Sequence, residues 1–143
     1  MQLTSHTDYS LRLLIYLTII DNPEFSTVQA AADRYGISAN HLAKVAQTLV
    51  QGGYIMSLRG RGGGLRLARP ASEINIGTVV REIENQPLLD CFGPSSSCPI
   101  VPACILKQVL AGAQKAFLEF LDNFSLDDLV KNQGKLRKLL NAA

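Results

Sequence analysis

A turn centred on a glycine, between two short helical segments, restricts the fold of this chain more than any other feature. Residues 27–35 and 39–51 favour helices, and Gly36 between them can adopt the left-handed conformation that ends a helix at low cost. Ser38 can cap the second helix. That helix would bury four apolar side chains: Leu42, Val45, Leu49 and Val50. Two helices joined by such a turn predict a helix-turn-helix.

An arginine- and glycine-rich stretch follows the second helix. Residues 54–56 and 65–68 favour a strand and its return, and residues 59–64 form the tip between them. Four arginines and no acidic residue lie in this stretch and its immediate surroundings. A helix-turn-helix followed by a basic hairpin predicts a winged helix, which is a mainly α fold with a small β-hairpin wing.

Double-stranded DNA is the partner that this arrangement indicates, because a local basic patch on a chain of net charge +2 favours docking of a polyanion at one place. We expect Arg59 and Arg61 at the wing tip to enter the minor groove. The other predicted DNA contacts lie at the start of the second helix: Ser38, Asn40, His41 and Lys44. The alternatives are a solvated charged surface for the arginines and capping, turn or surface roles for the others.

A first helix is predicted over residues 5–20, with Ser5 or Thr7 as its cap. Asp8 lies in its first turn, where the helix dipole favours an acid. The helix is apolar on most of its surface, which predicts that it is largely buried. Three residues are expected to end it: Asp21, Asn22 and Pro23.

Further helices are predicted in the second half of the chain. Residues 76–84 favour a short helix, and an apolar repeat of three and four residues predicts a long one from Cys104 to about Asn123. The apolar stripe of the long helix is Leu106, Val109, Leu110, Ala113, Phe117, Phe120 and Leu121. Such a helix is most simply a dimerisation helix, and packing on its own domain is the alternative. Ser125 and Asp128 resemble a capping box that starts a last short helix.

Three cysteines lie in the segment CFGPSSSCPIVPAC, which precedes the long helix. Its prolines, glycine and serines are typical of a loop, and a loop lets the thiolates of Cys91, Cys98 and Cys104 converge on one point. Iron–sulfur ligation, zinc binding and ordinary free thiols are the interpretations that this spacing leaves open. A zinc site would usually contain C-x-x-C pairs and a fourth Cys or His nearby, and neither is present. A disulfide framework is disfavoured.

The bulk properties limit the class of protein. No apolar run approaches the roughly 20 residues of a membrane-spanning helix, and the first residues lack the layout of a signal peptide. We therefore expect a cytoplasmic protein with no membrane partner, in which thiols stay reduced. A length of 143 residues favours one domain or two small ones. We divide the chain into a DNA-binding domain, residues 1–72, and a part with the cysteine loop and dimerisation helices, residues 73–143.

A small electron-transfer protein or redox enzyme is the alternative from another functional class. Such a protein needs neither a helix-turn-helix nor an arginine-rich wing. The sequence also has no Ser, His and Asp arrangement and no pair of carboxylates that would indicate catalysis. We therefore do not expect an enzyme.

Several segments together resemble one known family. They are MQLTSHTDYSLR, SANHLAKV, RGRGGGLRLARP, IGTVVREIE, SLDDLV and the three cysteines. Over nearly its whole length, the chain resembles the iron–sulfur winged-helix transcriptional regulators of the NsrR and IscR type. The resemblance implies a homodimeric regulator, expected to be a repressor, whose binding to a DNA operator is controlled by a cluster on Cys91, Cys98 and Cys104.

Within that family the resemblance is closer to the nitric-oxide-sensing NsrR members. Members of the IscR type are expected to have a histidine ligand where this chain has Lys107, and a protonated amine cannot ligate iron. Asp8 matches the acid that is thought to reach the partner subunit's cluster, although it could only complement a helix start. A 4Fe–4S cluster is favoured over 2Fe–2S, with nitric oxide as the signal. A winged-helix regulator whose cysteines sense thiol oxidation or bind zinc is the alternative.

Overall fold

The computed structural model describes residues 2–21 and 26–141. Six α-helices and one hairpin are present in these residues: α1 (Ser5–Ile19), α2 (Val28–Tyr35), α3 (Ala39–Gln51), β1 (Ile55–Leu58), β2 (Gly64–Leu67), α4 (Ile76–Ile83), α5 (Ile105–Leu121) and α6 (Gln133–Asn141). Short 3-10 turns lie at Ala71–Glu73, Asp90–Phe92, Val101–Ala103 and Asp127–Val130. The prediction of a mainly α fold with a small hairpin wing is confirmed. None of the described helices is both long and apolar enough to cross a membrane.

The N-cap residue of helix α1 differs from the predicted one. Thr4 is the cap, and its hydroxyl accepts the Thr7 N–H at 3.3 Å, so the prediction of Ser5 or Thr7 was wrong. The reason lies 80 residues away, where the Glu84 carboxylate accepts the Thr4 N–H at 2.8 Å and the Thr7 hydroxyl at 2.8 Å. The predicted end signals Asn22 and Pro23 lie outside the described residues.

The helix-turn-helix is built as the local signals predict. Gly36 ends α2 with a φ of 65°, a left-handed conformation that glycine adopts without strain. The Ser38 hydroxyl accepts the His41 N–H at the start of α3. One predicted core position was wrong, because Val50 is 40% exposed while Ala46 is buried. Ala46 continues the spacing of three and four residues, whereas Val50 lies one residue beyond the face that Leu49 occupies.

One hydrophobic core joins both halves of the chain. Leu13, Leu14 and Tyr16 of α1 are completely buried, and they share a cluster with residues of α2, α3, β1, β2 and α4. Leu126, close to the C-terminal end, is also completely buried in this cluster. The core therefore contains residues from both sides of the boundary at residue 72, and the division into two parts stays a prediction.

The C-terminal segment folds back onto α1. Ser125 and Asp128 form the predicted capping box, in which the Ser125 N–H donates to Asp128 Oδ2 at 2.9 Å. It precedes a 3-10 turn, and the last α-helix begins only at Gln133. The Arg137 guanidinium of α6 donates to the Ile19 carbonyl at the end of α1 and pairs with Asp21 at 3.0 Å. This positive group complements the negative end of the α1 dipole.

The contact between Glu84 and the start of α1 predicts a stability that depends on pH. Burial alone would raise the pKa of the Glu84 carboxyl, but the hydrogen bonds from Thr4 and Thr7 outweigh burial and lower that pKa. Glu84→Gln should lower the free energy of unfolding at neutral pH by about 1 kcal/mol, because a neutral amide accepts weaker hydrogen bonds than a carboxylate.

The sign of the pH dependence follows from the lowered pKa. The stabilisation is present above the unfolded pKa of about 4.3 and is lost as the pH falls through the lower folded value. Urea unfolding over this range should therefore show the wild type and Glu84→Gln converging as the pH falls. Glu73→Gln removes an exposed carboxyl and serves as the control. A difference that stays constant with pH would contradict this role.

Candidate nucleic-acid interface and cysteine segment

Helix α3 presents a polar surface on the side away from the core. Ser38, Asn40 and Lys44 are exposed, while Leu42, Val45 and Leu49 are buried on the opposite side. The alternation follows the helical repeat of 3.6 residues, so one surface packs and the other faces solvent. Three of the four predicted contacts at the start of this helix are therefore accessible to a partner.

His41, the fourth predicted contact, is held by α1. Its ring lies edge-on to the Tyr9 ring, with centroids 4.8 Å apart, and is stacked with the His6 ring at 5.9 Å. His6 in turn forms a hydrogen bond of 2.9 Å between its Nε2 and the Thr48 hydroxyl of α3. The half-buried His41 side chain is therefore part of the contact between α1 and α3, which restricts its rotamers.

The wing is a two-stranded antiparallel hairpin whose tip carries the predicted arginines. Ile55 pairs with Leu67 and Leu58 with Gly64, so the strands extend slightly farther toward the tip than predicted. The side chains of Arg59 and Arg61 are exposed at the tip. Unlike the arginines at the tip, Arg69 contacts an aromatic ring of the protein itself. Its guanidinium lies 4.6 Å from the centre of the buried Tyr54 ring.

The base of the wing is fixed to the segment that precedes α2. The Leu65 N–H donates to the Ser26 carbonyl at 2.6 Å. Gly64 has a φ of 143°, and a Cβ placed there would lie 2.9 Å from the same carbonyl oxygen and would also overlap the Ser26 hydroxyl. Only glycine allows this close approach, so the wing is positioned relative to the helix-turn-helix by backbone contact.

Two further exposed residues belong to the same candidate interface. Gln47 follows Lys44 by three residues on the exposed side of α3, and Arg66 is exposed on β2. The helical spacing from Asn40 and Lys44 already indicates the position of Gln47. Arg66 belongs to the basic stretch that the sequence indicates, although the strands of the hairpin begin and end one or two residues away from the predicted bounds.

Cys91 lies in the 3-10 turn Asp90–Phe92, Cys98 lies in the loop before the next 3-10 turn, and Cys104 directly precedes α5. All three are free, with Cys98 exposed and Cys91 and Cys104 half-buried. Cys104 caps α5, and its Sγ accepts the Lys107 N–H at 3.3 Å. This hydrogen bond satisfies one of the backbone N–H groups that have no partner within the helix.

The side chains do not converge on one point. Within residues 2–21 and 26–141, no three His, Cys, Asp or Glu side chains are close enough together to hold one metal ion. The donors themselves suit iron or a cluster of iron and sulfide, since thiolates are soft ligands and none of these thiols is used in a disulfide. The predicted ligands are therefore of the right chemistry, and in this loop conformation they are too far apart to bind a single metal ion.

Asp8, the predicted fourth ligand, is engaged within its own helix. Both of its oxygens contact Arg12, at 2.7 Å to a terminal nitrogen and 3.0 Å to Nε. The Arg12 guanidinium also lies 5.7 Å from the centre of the Tyr9 ring and 5.9 Å from that of Tyr35. The carboxylate is 44% exposed, so a group outside this protomer could reach it only in competition with Arg12.

Helix α5 leaves an apolar stripe uncovered. The described part of this helix contains no buried residue. Four of its large apolar side chains are mostly exposed: Ile105 (73%), Leu106 (62%), Val109 (59%) and Phe120 (64%). The opposite side of the helix packs against α4. An exposed stripe of this kind is typical of a surface that contacts another protein.

A helix-turn-helix, a basic hairpin and an additional long helix together define a winged-helix protein of the regulator type. Residues 3–132 match the Rrf2 family, which is described as iron-dependent transcriptional regulators. The chain therefore belongs to the Rrf2 family of DNA-binding transcriptional regulators.

Solved structures of three related chains share this fold. IscR from T. potens is 23% identical with a TM-score of 0.70, over 92% of this chain and 88% of that one. CymR from Staphylococcus aureus is 25% identical with a TM-score of 0.65, over 90% of this chain and 97% of that one. The oxidized form of the S. aureus CymR is also 25% identical, with a TM-score of 0.67, over 92% of this chain and 97% of that one.

The contact between Gly64 and Ser26 predicts a specific weakness of the wing. Gly64→Ala should destabilise the protein by about 1–3 kcal/mol, because it forces a side chain into a positive φ and against a carbonyl. Gly134→Ala is the matched control, since a Cβ there meets no atom within 4 Å, and it should stabilise α6 by up to about 1 kcal/mol. Thermal unfolding measures both changes. Equal stability of Gly64→Ala and the wild type would show that the wing is not held here.

Proposed function

We propose that this protein is a homodimeric repressor that binds a near-palindromic DNA operator and whose binding is controlled through its three cysteines. The observation that carries the proposal is the exposed polar side of α3 next to a wing tip with two arginines. The glycines and exposed arginines of this tip bury no apolar surface, so they contribute little to the stability of the fold. In this proposal the protein is cytoplasmic, because it binds DNA in that compartment.

Helix α3 is proposed to enter the major groove, with Asn40 and Gln47 directed to base edges. Ser38 and Lys44 would contact phosphates, and Arg59 and Arg61 would reach the flanking minor groove. His41 is proposed to contact the DNA at the edge of this surface. Its packing against α1 supports that role, because a ring held in one orientation loses little entropy on binding.

The second subunit is proposed to cover the exposed stripe of α5. Ala113 and Ala116 lie on the same side of the helix as Val109 and Phe120, and their small side chains allow two helices to approach closely. A two-fold dimer would place the two copies of α3 in successive major grooves, about 34 Å apart. The operator would then have matching two-fold symmetry.

Cys91, Cys98 and Cys104 are proposed to hold an iron–sulfur cluster, with 4Fe–4S favoured over 2Fe–2S. Asp8 of the partner subunit is the proposed fourth ligand, which requires that its pair with Arg12 opens. The cluster would supply an iron site that reacts with nitric oxide. The chain's own contribution is to supply three unpaired thiols on a loop of short 3-10 turns that can rearrange.

A thiol-based or zinc-based regulator is the second candidate. The exposed position of Cys98 favours direct oxidation of a thiol, because exposure is one requirement for that chemistry. One related structure is that of CymR in an oxidized form. In this alternative the same winged helix binds DNA and no cluster is involved.

Removing the two wing arginines tests the DNA-binding surface. Arg59→Ala together with Arg61→Ala should weaken binding to operator and mixed genomic DNA and should reduce the slope of log K against log salt by about 2, because two positive charges between the phosphates that border the minor groove are lost and fewer counterions are released. Lys138→Ala on the exposed surface of α6 is the control and should leave the slope unchanged. Fluorescence anisotropy at several salt concentrations measures the slope. An unchanged slope would contradict the proposed role of the wing.

The cysteines are tested by the composition of protein prepared without oxygen. Iron and sulfide in similar amounts, together with visible absorbance that nitric oxide removes, would support the cluster. Replacement of all three cysteines by serine should abolish the absorbance and the nitric oxide response of DNA binding. Zinc without sulfide, or a DNA affinity that responds only to thiol oxidants, would support the second candidate and exclude the cluster.

A further inference from the structure

Asp122, the residue directly after α5, is bound to α4 by an ion pair with defined geometry. The two terminal nitrogens of Arg81 contact its two carboxylate oxygens at 2.5 Å and 2.6 Å. A bidentate pair of this kind fixes orientation as well as distance, because both partners are planar. The pair is solvent-exposed, so its main contribution is geometric and its contribution to stability is small.

Two other contacts fix the same residue. The Asn75 side-chain amide donates to the Asp122 carbonyl at 2.8 Å, while its oxygen accepts the Thr78 N–H and caps α4. A Cβ at Gly77 would overlap Asp122 Oδ1 and would lie 2.9 Å from the Asp122 backbone nitrogen. The Asp122 side chain therefore lies directly against the backbone of Gly77, where a larger residue would leave no room for it.

Backbone hydrogen bonds also connect the segment before α4 to the segment after α5, and we call this contact region around Asp122 the joint. The Ile76 N–H donates to the Phe124 carbonyl at 2.9 Å, and the Leu126 N–H donates to the Ile74 carbonyl at 2.8 Å. Leu126 is completely buried in the core, so the chain that leaves α5 is attached firmly to the body. The rest of α5 extends from this joint with α4 as the helix against which it packs.

Because the joint lies at one end of α5, a small rotation there moves the other end of this helix by a larger distance. Helix α5 has 17 residues and is therefore about 25 Å long. A rotation of only about 8° at the joint would move its far end by about 3.5 Å, which is close to the rise of one DNA base pair. Because the proposed dimer contact lies along α5, the angle between α5 and the winged helix determines the distance between the two copies of α3.

We propose that the Arg81–Asp122 pair, seated against Gly77, is a positioning joint that sets this angle and thereby determines which half-site spacing the dimer accepts. The inference rests on the proposed DNA-binding dimer. Neither residue needs to touch the DNA, since both act through the direction of α5. Specificity for spacing would therefore originate on the side of the molecule that carries the dimer contact.

The variants distinguish the effect of losing the Arg81–Asp122 pair from the effect of changing the charge near α5. Asp122→Asn and Arg81→Gln each remove the ion pair, whereas Arg81→Lys keeps the charge and loses the fork of two parallel hydrogen bonds. Asp127→Asn is the matched control, because it makes the same chemical change at an exposed carboxylate that does not pair with Arg81. Circular dichroism checks that each variant is folded, and using two variants that break the pair protects the test against one that does not fold.

Two measurements are made on each folded variant. The first is affinity for operators whose half-sites are moved apart or together by one base pair. The second is the distance between spin labels attached through non-natural amino acids at Gln108 on α5 and Gln51 on α3, which reports the angle within one protomer. Both positions are exposed.

We expect Asp122→Asn and Arg81→Gln to reduce discrimination between the spacings by about threefold and to broaden the label distances. Arg81→Lys should be intermediate and Asp127→Asn should match the wild type. Unchanged discrimination and unchanged distances in both variants that lack the pair would overturn the joint while leaving the proposed function intact. A wild-type protein that binds none of the operators would instead contradict the proposed function.

Discussion

Burial of α1 is the interaction on which the rest of the structure depends. Leu13, Leu14 and Tyr16 are completely buried, and α1 packs against α3, β2, α4 and α6. Full burial of each large apolar side chain is worth about 1.5–3 kcal/mol, so this helix contributes strongly to holding α3, the wing and the C-terminal segment in one unit. The polar contacts at its two ends, from Glu84 and Arg137, then fix its direction.

The signals that predicted the fold correctly are local. Gly36 needs only its own backbone conformation to end α2, and Ser38 and Ser125 accept or donate hydrogen bonds within three residues. The wrong prediction of the α1 cap concerns a distant partner. Thr4 is the cap of α1 because Glu84 orders its backbone from across the chain, and no pattern near the N-terminus contains that information.

The candidate site was predictable in its residue types and less so in its geometry. The exposed positions of Asn40, Lys44 and Arg59 follow from helical spacing and from a glycine-rich hairpin tip. The packing of His41 against Tyr9 and His6 could not be predicted, because it depends on how α1 crosses α3. For the cysteines, a sequence can indicate that a loop permits convergence, but the conformation of the loop depends on what it binds.

The two proposals for cysteine chemistry place different demands on the same loop. Oxidation of a single thiol needs exposure, which Cys98 has in the present conformation. A cluster needs three sulfurs placed around one group of irons and sulfides, so residues 91–104 would have to enclose that group next to Cys104, which is already fixed at the start of α5. Because that helix also carries the exposed apolar stripe, a rearrangement that pulls on Cys104 would act directly on the proposed dimer contact. A cluster would therefore affect the proposed DNA-binding surface by changing the position of α5. Oxidation of Cys98 alone would need a second thiol or a partner protein to have the same effect.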